Sequence, residues 1–217
     1  MTQSQLLADE DVIARLAELG AATVYEANGQ TGAFDAGLKP LDPTRTLAGR
    51  AVTLDLPPAD NWYVHVAMLE AGPGDVLVVD AKGYLEAGPW GDVLTCLAQE
   101  RGLAGLVIDG AVRDSRDIIA SGFPVFARGL SIKGTTKAVP GRVNVPVRVG
   151  GVTVDPGDIV VGDADGLVRV PAHQLHHALV VSEARAAKEA GFRDRICAGA
   201  NTLELLGLPH PKRSGPA

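Results

Sequence analysis

The chain reads as an α/β protein, and three observations predict that class. Short continuous apolar runs bounded by turn residues, Val76-Leu77-Val78-Val79 and Leu106-Val107-Ile108, have the form of buried strands. Around them lie segments with apolar residues at helical spacing, opened by acids or Asp-Asn and closed by glycine. The 26 glycines and 14 prolines supply the tight turns that many short elements need. At 217 residues the chain suits one domain with a sizeable core. Only 4% of it is aromatic, so that core has to be built from Val, Leu, Ile and Ala.

Asp9-Glu10-Asp11, ahead of Val12, Ile13, Leu16 and Leu19, predict a first helix stopped near Gly20. Thr23 to Ala27 opens a second, short helix ending at Asn28-Gly29, and its Glu26 is either a solvated acid or a site residue. Pro40 to Pro43 is a turn region, and Gly49 to Leu54 a strand. Asp60-Asn61 can cap a helix carrying Trp62, Val66 and Leu69, closed by Gly72-Pro73-Gly74. His65 in that helix is a structural histidine or a ligand. Asp75 to Asp80 is a buried strand. Asp92 reads as the N-cap of a helix from Val93 to Arg101; a turn, the strand around Leu106-Val107-Ile108, and a loop from Arg113 to Asp117 follow.

Further on, Pro124 to Arg128 is a short strand and Gly134 to Lys137 a loop. Val143 to Gly150 and Val152 to Val154 read as strands. Gln174 to Ile196 is a long helix with Glu189 and Arg193 at the favourable i, i+4 spacing. Residues 1–209 are expected to form one domain, and 210–217 a disordered Pro/Gly-containing tail. One phrase occurs twice: Pro73-Gly74-Asp75 to Gly83 is echoed by Pro156-Gly157-Asp158 to Gly166, as turn, buried strand and turn. It reads as one supersecondary solution used twice rather than as a repeat array.

A net charge of −6 with no long basic run argues against nucleic acid or an anionic membrane as the main partner. Cys96 and Cys197 have no metal-ligand spacing and fit a reducing compartment. Met1 to Leu16 contains no apolar signal core, and no apolar run approaches the roughly 20 residues of a membrane span. A cytoplasmic protein is expected.

The chemistry concentrates between Gly91 and Asp117. Asp92 stands at a helix start, and Arg113-Asp114 follow a buried strand twenty residues further on. Helix N-termini and the carboxyl ends of strands are where α/β proteins collect ligands. Gly91-Asp92 is a plain helix cap, or the free N–H groups of Val93 and Leu94 hold a carboxylate. Arg113-Asp114 is a surface ion pair, or an arginine fork beside a carboxylate for a hard cation such as Mg²⁺. Weaker candidates are the cluster His173, His176 and His177 as metal ligands, and Lys82 as a Schiff-base lysine. Asp163-Ala164-Asp165-Gly166 fails as a calcium loop, because the first and twelfth ligand positions fall on Val161 and Ala172.

An acid, twenty residues and then Arg-Asp resembles the signature of the RraA-like proteins, and within them the class II pyruvate aldolases. The likeness extends to Thr23-Val24-Tyr25-Glu26-Ala27, Asp60 to His65, Gly134-Thr135-Thr136-Lys137, Val143 to Val147 and Pro156 to Gly166. It departs after Gly199, and Tyr25 stands where those enzymes often have His.

The resemblance implies a layered α/β/β/α domain of the swivelling, phosphohistidine-domain type, assembled as a homotrimer or homohexamer with sites between subunits. It implies Mg²⁺ or Mn²⁺ on Asp114, with Gly91, Val93 and Leu94 around the substrate carboxylate. Arg113 is expected on the enolate oxygen, Asp92 on a proton-carrying water, and Glu189 as an acid supplied to a neighbouring subunit. The implied reaction cleaves a 4-hydroxy-2-oxo acid, of the 4-hydroxy-4-methyl-2-oxoglutarate or 4-carboxy-4-hydroxy-2-oxoadipate type, to pyruvate, with oxaloacetate decarboxylation alongside. Glu26, His65 and Lys137 are left open as contacts for the far half of the substrate. The alternative is a non-catalytic regulator of the kind that binds ribonuclease E.

Overall fold

In the computed structural model, which describes residues 8–210, two helices open the chain: α1 (Asp9–Leu19) and α2 (Ala21–Ala27). The body alternates strand and helix: β1 (Lys39–Pro40), β2 (Leu47–Asp55), α3 (Trp62–Glu70), β3 (Asp75–Tyr84), α4 (Asp92–Glu100), β4 (Gly105–Val112), α5 (Ser115–Ser121) and β5 (Val125–Leu130). Short strands follow: β6 (Arg142–Val143), β7 (Val147–Val149), β8 (Val152–Val154), β9 (Ile159–Gly162) and β10 (Leu167–Val170). A 3-10 turn (Ala172–Gln174) leads into α6 (Leu175–Cys197), and α7 (Thr202–Leu206) closes the described chain. The tail expected to be disordered lies, apart from His210, outside the described residues.

One sheet runs in the order β1-β5-β4-β3-β2-β9-β10, with β6 also on β2 and β7-β8 as a separate hairpin. The segment β2-α3-β3-α4-β4-α5-β5 is three successive crossovers, so β2 to β5 are parallel; β1, β9 and β10 join antiparallel. Side chains alternate across this sheet. Val52 and Leu54 of β2, Leu77 and Val79 of β3, and Leu106 and Ile108 of β4 pack under Val64 and Met68 of α3, Leu94 of α4 and Ile118 of α5. Ile159 and Val161 of β9 pack under α1, α2 and α6, with Val12, Leu16, Val24 and Leu179.

Arg50 lies opposite Ile159 and Ala48 opposite Val161, so both helix groups cover the same outer face of a continuous sheet. The inner face closes on itself: Val76, Val78, Val107 and Phe126 share a core with Val160, Leu167 and the hairpin residues Val147, Val149 and Val154. A section therefore crosses helices, sheet, sheet and helices, the expected α/β/β/α layering. Valines make up most of this curled interior, with Phe34, Phe126 and three leucines among the rest.

The twice-used phrase has a structural cause. Asp75 Oδ2 accepts from Gly72 N–H and Asp158 Oδ2 from Asp155 N–H, each across a turn whose glycine has positive φ, Gly74 at 81° and Gly157 at 85°. At the far end of each phrase Asp80 Oδ1 accepts from Lys82 N–H and Asp163 Oδ1 from Asp165 N–H. In both phrases an aspartate closes the turn before the strand; the second aspartate closes the turn after β9, and in β3 (Asp75–Tyr84) it braces the strand at Lys82, whose φ is 61°.

Four expectations need correction. The buried face of α3 is Val64, Ala67 and Met68, while Trp62 and Leu69 are exposed. The residues after Arg113-Asp114 are not a loop, because Asp114 is the N-cap of α5. Val143 to Gly150 is broken into β6 and β7 at Asn144, whose φ of 54° interrupts a strand. The cap of α4 is Gly91, with Asp92 the first helical residue.

Candidate active site

The chain leaves β3 and β4 at the same rim, because the two strands pair in parallel from Val76-Gly105 to Val79-Ile108. There the segment before α4 is stitched to the segment after β4. Arg113 N–H donates to Trp90 O at 2.9 Å, and Asp92 N–H donates to Asp114 Oδ2 at 3.3 Å. Arg113 Nε stands 3.4 Å from the same Asp114 oxygen. The acid, arginine and acid separated in sequence thus meet around Gly91. A Cβ at residue 91 would lie 2.3 Å from Asp114 Oδ2 and 3.0 Å from Arg113 Nε, so only glycine leaves both side chains where they stand. Asp114 itself holds a left-handed conformation, φ 57° and ψ 34°, which Asp tolerates better than most residues.

Behind this contact, Trp90 is fully buried and stacks on Phe123. Its indole N–H donates to Thr95 Oγ1, which in turn donates to Gly91 O at 3.0 Å. Sequence reasoning missed Trp90 and Thr95; one of only two tryptophans directly before Gly91-Asp92 was the available signal. The expected carboxylate cradle is already partly used: Val93 N–H donates to Asp92 Oδ1 at 2.8 Å.

A cleft of about 540 Å³ opens beside these groups, lined by Asn61, His65, Pro89, Gly91, Val93, Leu94, Arg113 and Lys137. Two cations, a histidine and a helix start converge on it, a set suited to an anionic small molecule. A depression of similar size near Tyr25 and Phe34 carries Asp35 and Asp165 as its charged groups, which repel such a ligand. Asn61 reaches the cleft wall through its Nδ2, which donates to Pro89 O at 3.0 Å, while its Oδ1 is buried and unpartnered. Asp60, next to it, is buried. Burial alone would push its carboxyl up; hydrogen bonds from Ala138, Thr136, Trp62 and Val139 outweigh that and hold it at about 2.

His65 and Lys137 therefore join Arg113 at the cleft, and Glu26 does not. Glu26 on α2 pairs with Arg185 on α6, and Arg185 also meets Glu189 at 3.0 Å. Glu189 lies with Phe192 and Leu206 on a different part of the chain's surface, outside the lining of the Arg113 cleft. Lys82 fails as a neutral nucleophile. Burial lowers its pKa, but Asp55 at 2.5 Å and Asp80 at 2.7 Å more than offset that, so its pKa is raised and the amine stays charged. His176 is engaged by Asp9 at 2.8 Å.

Among the described residues no group of three or more His, Cys, Asp or Glu is placed to hold a metal ion. Among those residues there is thus no closed protein cage, whereas a hard cation that keeps its waters needs only one carboxylate. Asp114 fits that donor role, since the contacts with Arg113 and Asp92 N–H fall on Oδ2 and, among the described residues, leave Oδ1 without a protein partner. Among the described residues no helix is long and apolar enough to cross a membrane.

Fold and site define a single-domain α/β/β/α protein with a cleft at its strand ends lined by Arg113 and Lys137. Residues 13–169 match the family described as RraA-like: Aldolase/RraA, and the chain belongs to that family. It is 39% identical over 176 residues to a Halalkalibacterium halodurans protein provisionally named 4-hydroxy-4-methyl-2-oxoglutarate aldolase, covering 79% of this chain and 84% of that one. It is 40% identical over 124 residues to the 4-hydroxy-4-methyl-2-oxoglutarate aldolase of Thermus thermophilus, covering 57% and 75%. The structure of the RNA-processing inhibitor RraA from Thermus superposes with a TM-score of 0.65 at 33% identity, covering 70% of this chain and 92% of that one.

Proposed function

We propose that this protein is a divalent-metal-dependent pyruvate aldolase acting on a 4-hydroxy-2-oxo dicarboxylic acid of the 4-hydroxy-4-methyl-2-oxoglutarate type. The observation that carries the reading is the meeting of Asp92, Arg113 and Asp114 around Gly91, in a cleft that also holds Lys137. The relatives named for this activity support it.

Asp114 would hold Mg²⁺ or Mn²⁺, which supplies Lewis-acid polarisation of the 2-oxo group. The carboxylate next to that oxo group lies at the start of α4, on the N–H groups of Val93 and Leu94. The Val93 N–H passes to it as Asp92 turns toward a water. In the forward cleavage that water takes the proton of the 4-hydroxyl. The C3–C4 bond then breaks, its electron pair forming the enolate of pyruvate while C4 becomes the carbonyl of the second oxo acid. Arg113 neutralises the charge growing on the enolate oxygen, where a preorganised donor acts most strongly. The water oriented by Asp92 returns the proton to C3, giving the methyl group of pyruvate. Oxaloacetate, which leaves the same enolate on losing carbon dioxide, would be a second substrate.

His65 and Lys137 face the far half of the substrate. Glu189, outside this subunit's cleft, would act on a neighbouring copy's site in a homotrimer or homohexamer. A cytoplasmic location suits such a metabolite enzyme.

The test is a panel of 4-hydroxy-2-oxo acids and oxaloacetate with Mg²⁺, coupling pyruvate release to a detector. Pyruvate from a dicarboxylic member, lost on chelation, supports the reading. No pyruvate from any member overturns it and favours a non-catalytic regulator, in line with the Thermus RraA structure, which is named an RNA-processing inhibitor.

A further inference from the structure

The segment that carries Lys137, the second cation lining the cleft, is tied to a buried carboxylate, Asp60, whose hydrogen bonds involve neither Arg113 nor Asp114. Asp60 is 1% exposed. Its Oδ1 accepts from Trp62 N–H at 2.8 Å, in the first turn of α3. Its Oδ2 accepts from Thr136 Oγ1 at 2.6 Å, Ala138 N–H at 2.7 Å and Val139 N–H at 3.1 Å. Lys137 sits between two of those donors. The backbone closes the same junction: Asn61 N–H donates to Thr136 O at 3.0 Å, and Thr136 N–H donates to Ala59 O at 2.8 Å. Among the described residues Lys137 forms no ion pair of its own, so its charge is left for the cleft.

We propose that Asp60 is a positioning residue for substrate selection: it fixes Lys137 in the cleft that Arg113 also lines, and this second cation selects oxo acids carrying a second carboxylate away from the 2-oxo end. This deepens the aldolase reading and rests on it. A lysine on a free loop would have to be ordered by each substrate at an entropic cost. Tying the residues on both sides of Lys137 to one buried anion meets that cost on folding. Asp60 also holds the start of α3, which carries His65 and Asn61. One carboxylate therefore holds the segments that carry three lining groups, Asn61, His65 and Lys137, while Arg113 and Asp114 are set separately by Trp90 and Gly91.

The experiment uses the Mg²⁺-loaded full chain and two reactions. Cleavage of 4-hydroxy-4-methyl-2-oxoglutarate needs the whole cleft. Exchange of the pyruvate methyl protons in deuterated water needs only the Arg113 half. For Lys137→Met, kcat/KM for the dicarboxylate divided by the pyruvate exchange rate should fall about tenfold or more, the size of one charge-assisted hydrogen bond. Asp60→Asn should lower the same ratio by a similar factor, mainly through KM, and the double variant should be no worse than Lys137→Met alone. Thr136→Val removes one donor while leaving the carboxylate, and should give a smaller shift in the same direction should Asp60→Asn fold poorly. Equal losses in both reactions for Asp60→Asn and Thr136→Val, or full additivity with Lys137→Met, would overturn the proposal by making Asp60 a general scaffold. Wild-type protein that neither cleaves nor exchanges overturns the aldolase reading itself, and this inference with it.

Discussion

Gly91 and Asp114 occupy one another's space: the Cβ that any other residue would place at position 91 falls 2.3 Å from Asp114 Oδ2. The glycine that ends the loop before α4 is thus the reason the carboxylate after β4 can point where it does.

Gly91→Ala should therefore injure the site more than the fold. Asp114 is partly exposed and its side chain can swing away, so the stability loss should stay within about 1–3 kcal/mol, the usual range for overpacking. Mn²⁺ affinity and turnover should drop together by on the order of a hundredfold, the effect of misplacing a reacting group by about 1 Å. Thermal unfolding beside a Mn²⁺ titration separates the two; a large stability loss with unchanged metal affinity contradicts the account.

What the sequence could reveal follows range. The run from Asp92 to Asp114 was legible because each part is local: a glycine before a helix, an apolar run for β4, charges at its end. The face of α3 was not, since Trp62, Val66 and Leu69 compete with Val64, Ala67 and Met68 on a helix apolar nearly all round, and only the neighbouring strands decide. Short, polar α5 had no periodicity to betray it. The tie between Asp60 and Thr136 spans 76 residues and leaves no local trace. The curl of the sheet, which joins Val78 to Val160, is likewise a property of register rather than of any one strand.

Metal dependence should run through Asp114. Chelation should abolish pyruvate release, Mg²⁺ or Mn²⁺ should restore it, and Asp114→Asn should weaken Mn²⁺ binding at least tenfold with little change in unfolding temperature. A chelated enzyme retaining full turnover would remove Asp114 from this role.

Lys82 gives the opposite expectation. Held charged between Asp55 and Asp80, it should form no adduct with pyruvate that borohydride can trap. Lys82→Met should keep turnover within a fewfold of wild type and lose about 1–2 kcal/mol of stability, because Asp80 is left without its cation. A reduced lysine adduct in the mass spectrum would reverse this assignment.

Asp60 predicts a specific pH signature. Its carboxyl titrates near 2 in the fold against 3.8 as its ordinary value. A depressed folded pKa contributes stability that is fully present above about 3.8 and is lost as pH falls through about 2. The gap in unfolding temperature between wild type and Asp60→Asn should be constant from pH 8 to pH 5 and shrink between about pH 4 and pH 2. A gap that changes around neutral pH instead would mean that another group controls the loop.

Arg113 and Asp92 stand within one contact of each other yet should fail differently. Arg113 is assigned to charge that grows along the reaction, so Arg113→Lys should lower kcat and kcat/KM together, by on the order of 10²–10³. Lysine should not rescue, because an ammonium cannot reproduce the planar fork, whose Nε meets Asp114 and whose remaining N–H groups are available to a ligand. Asp92 is assigned to a proton. Asp92→Asn keeps the backbone N–H that donates to Asp114, so metal binding should survive. The amide cannot hold a water for proton transfer as a carboxylate does, so exchange of the pyruvate methyl protons should slow by about 10²-fold or more. Wild-type exchange in Asp92→Asn would reduce that carboxylate to a local acceptor for Val93 N–H, the bond it makes in this structure. Full activity in Arg113→Lys would likewise leave Arg113 as an ion pair with Asp114 and nothing more.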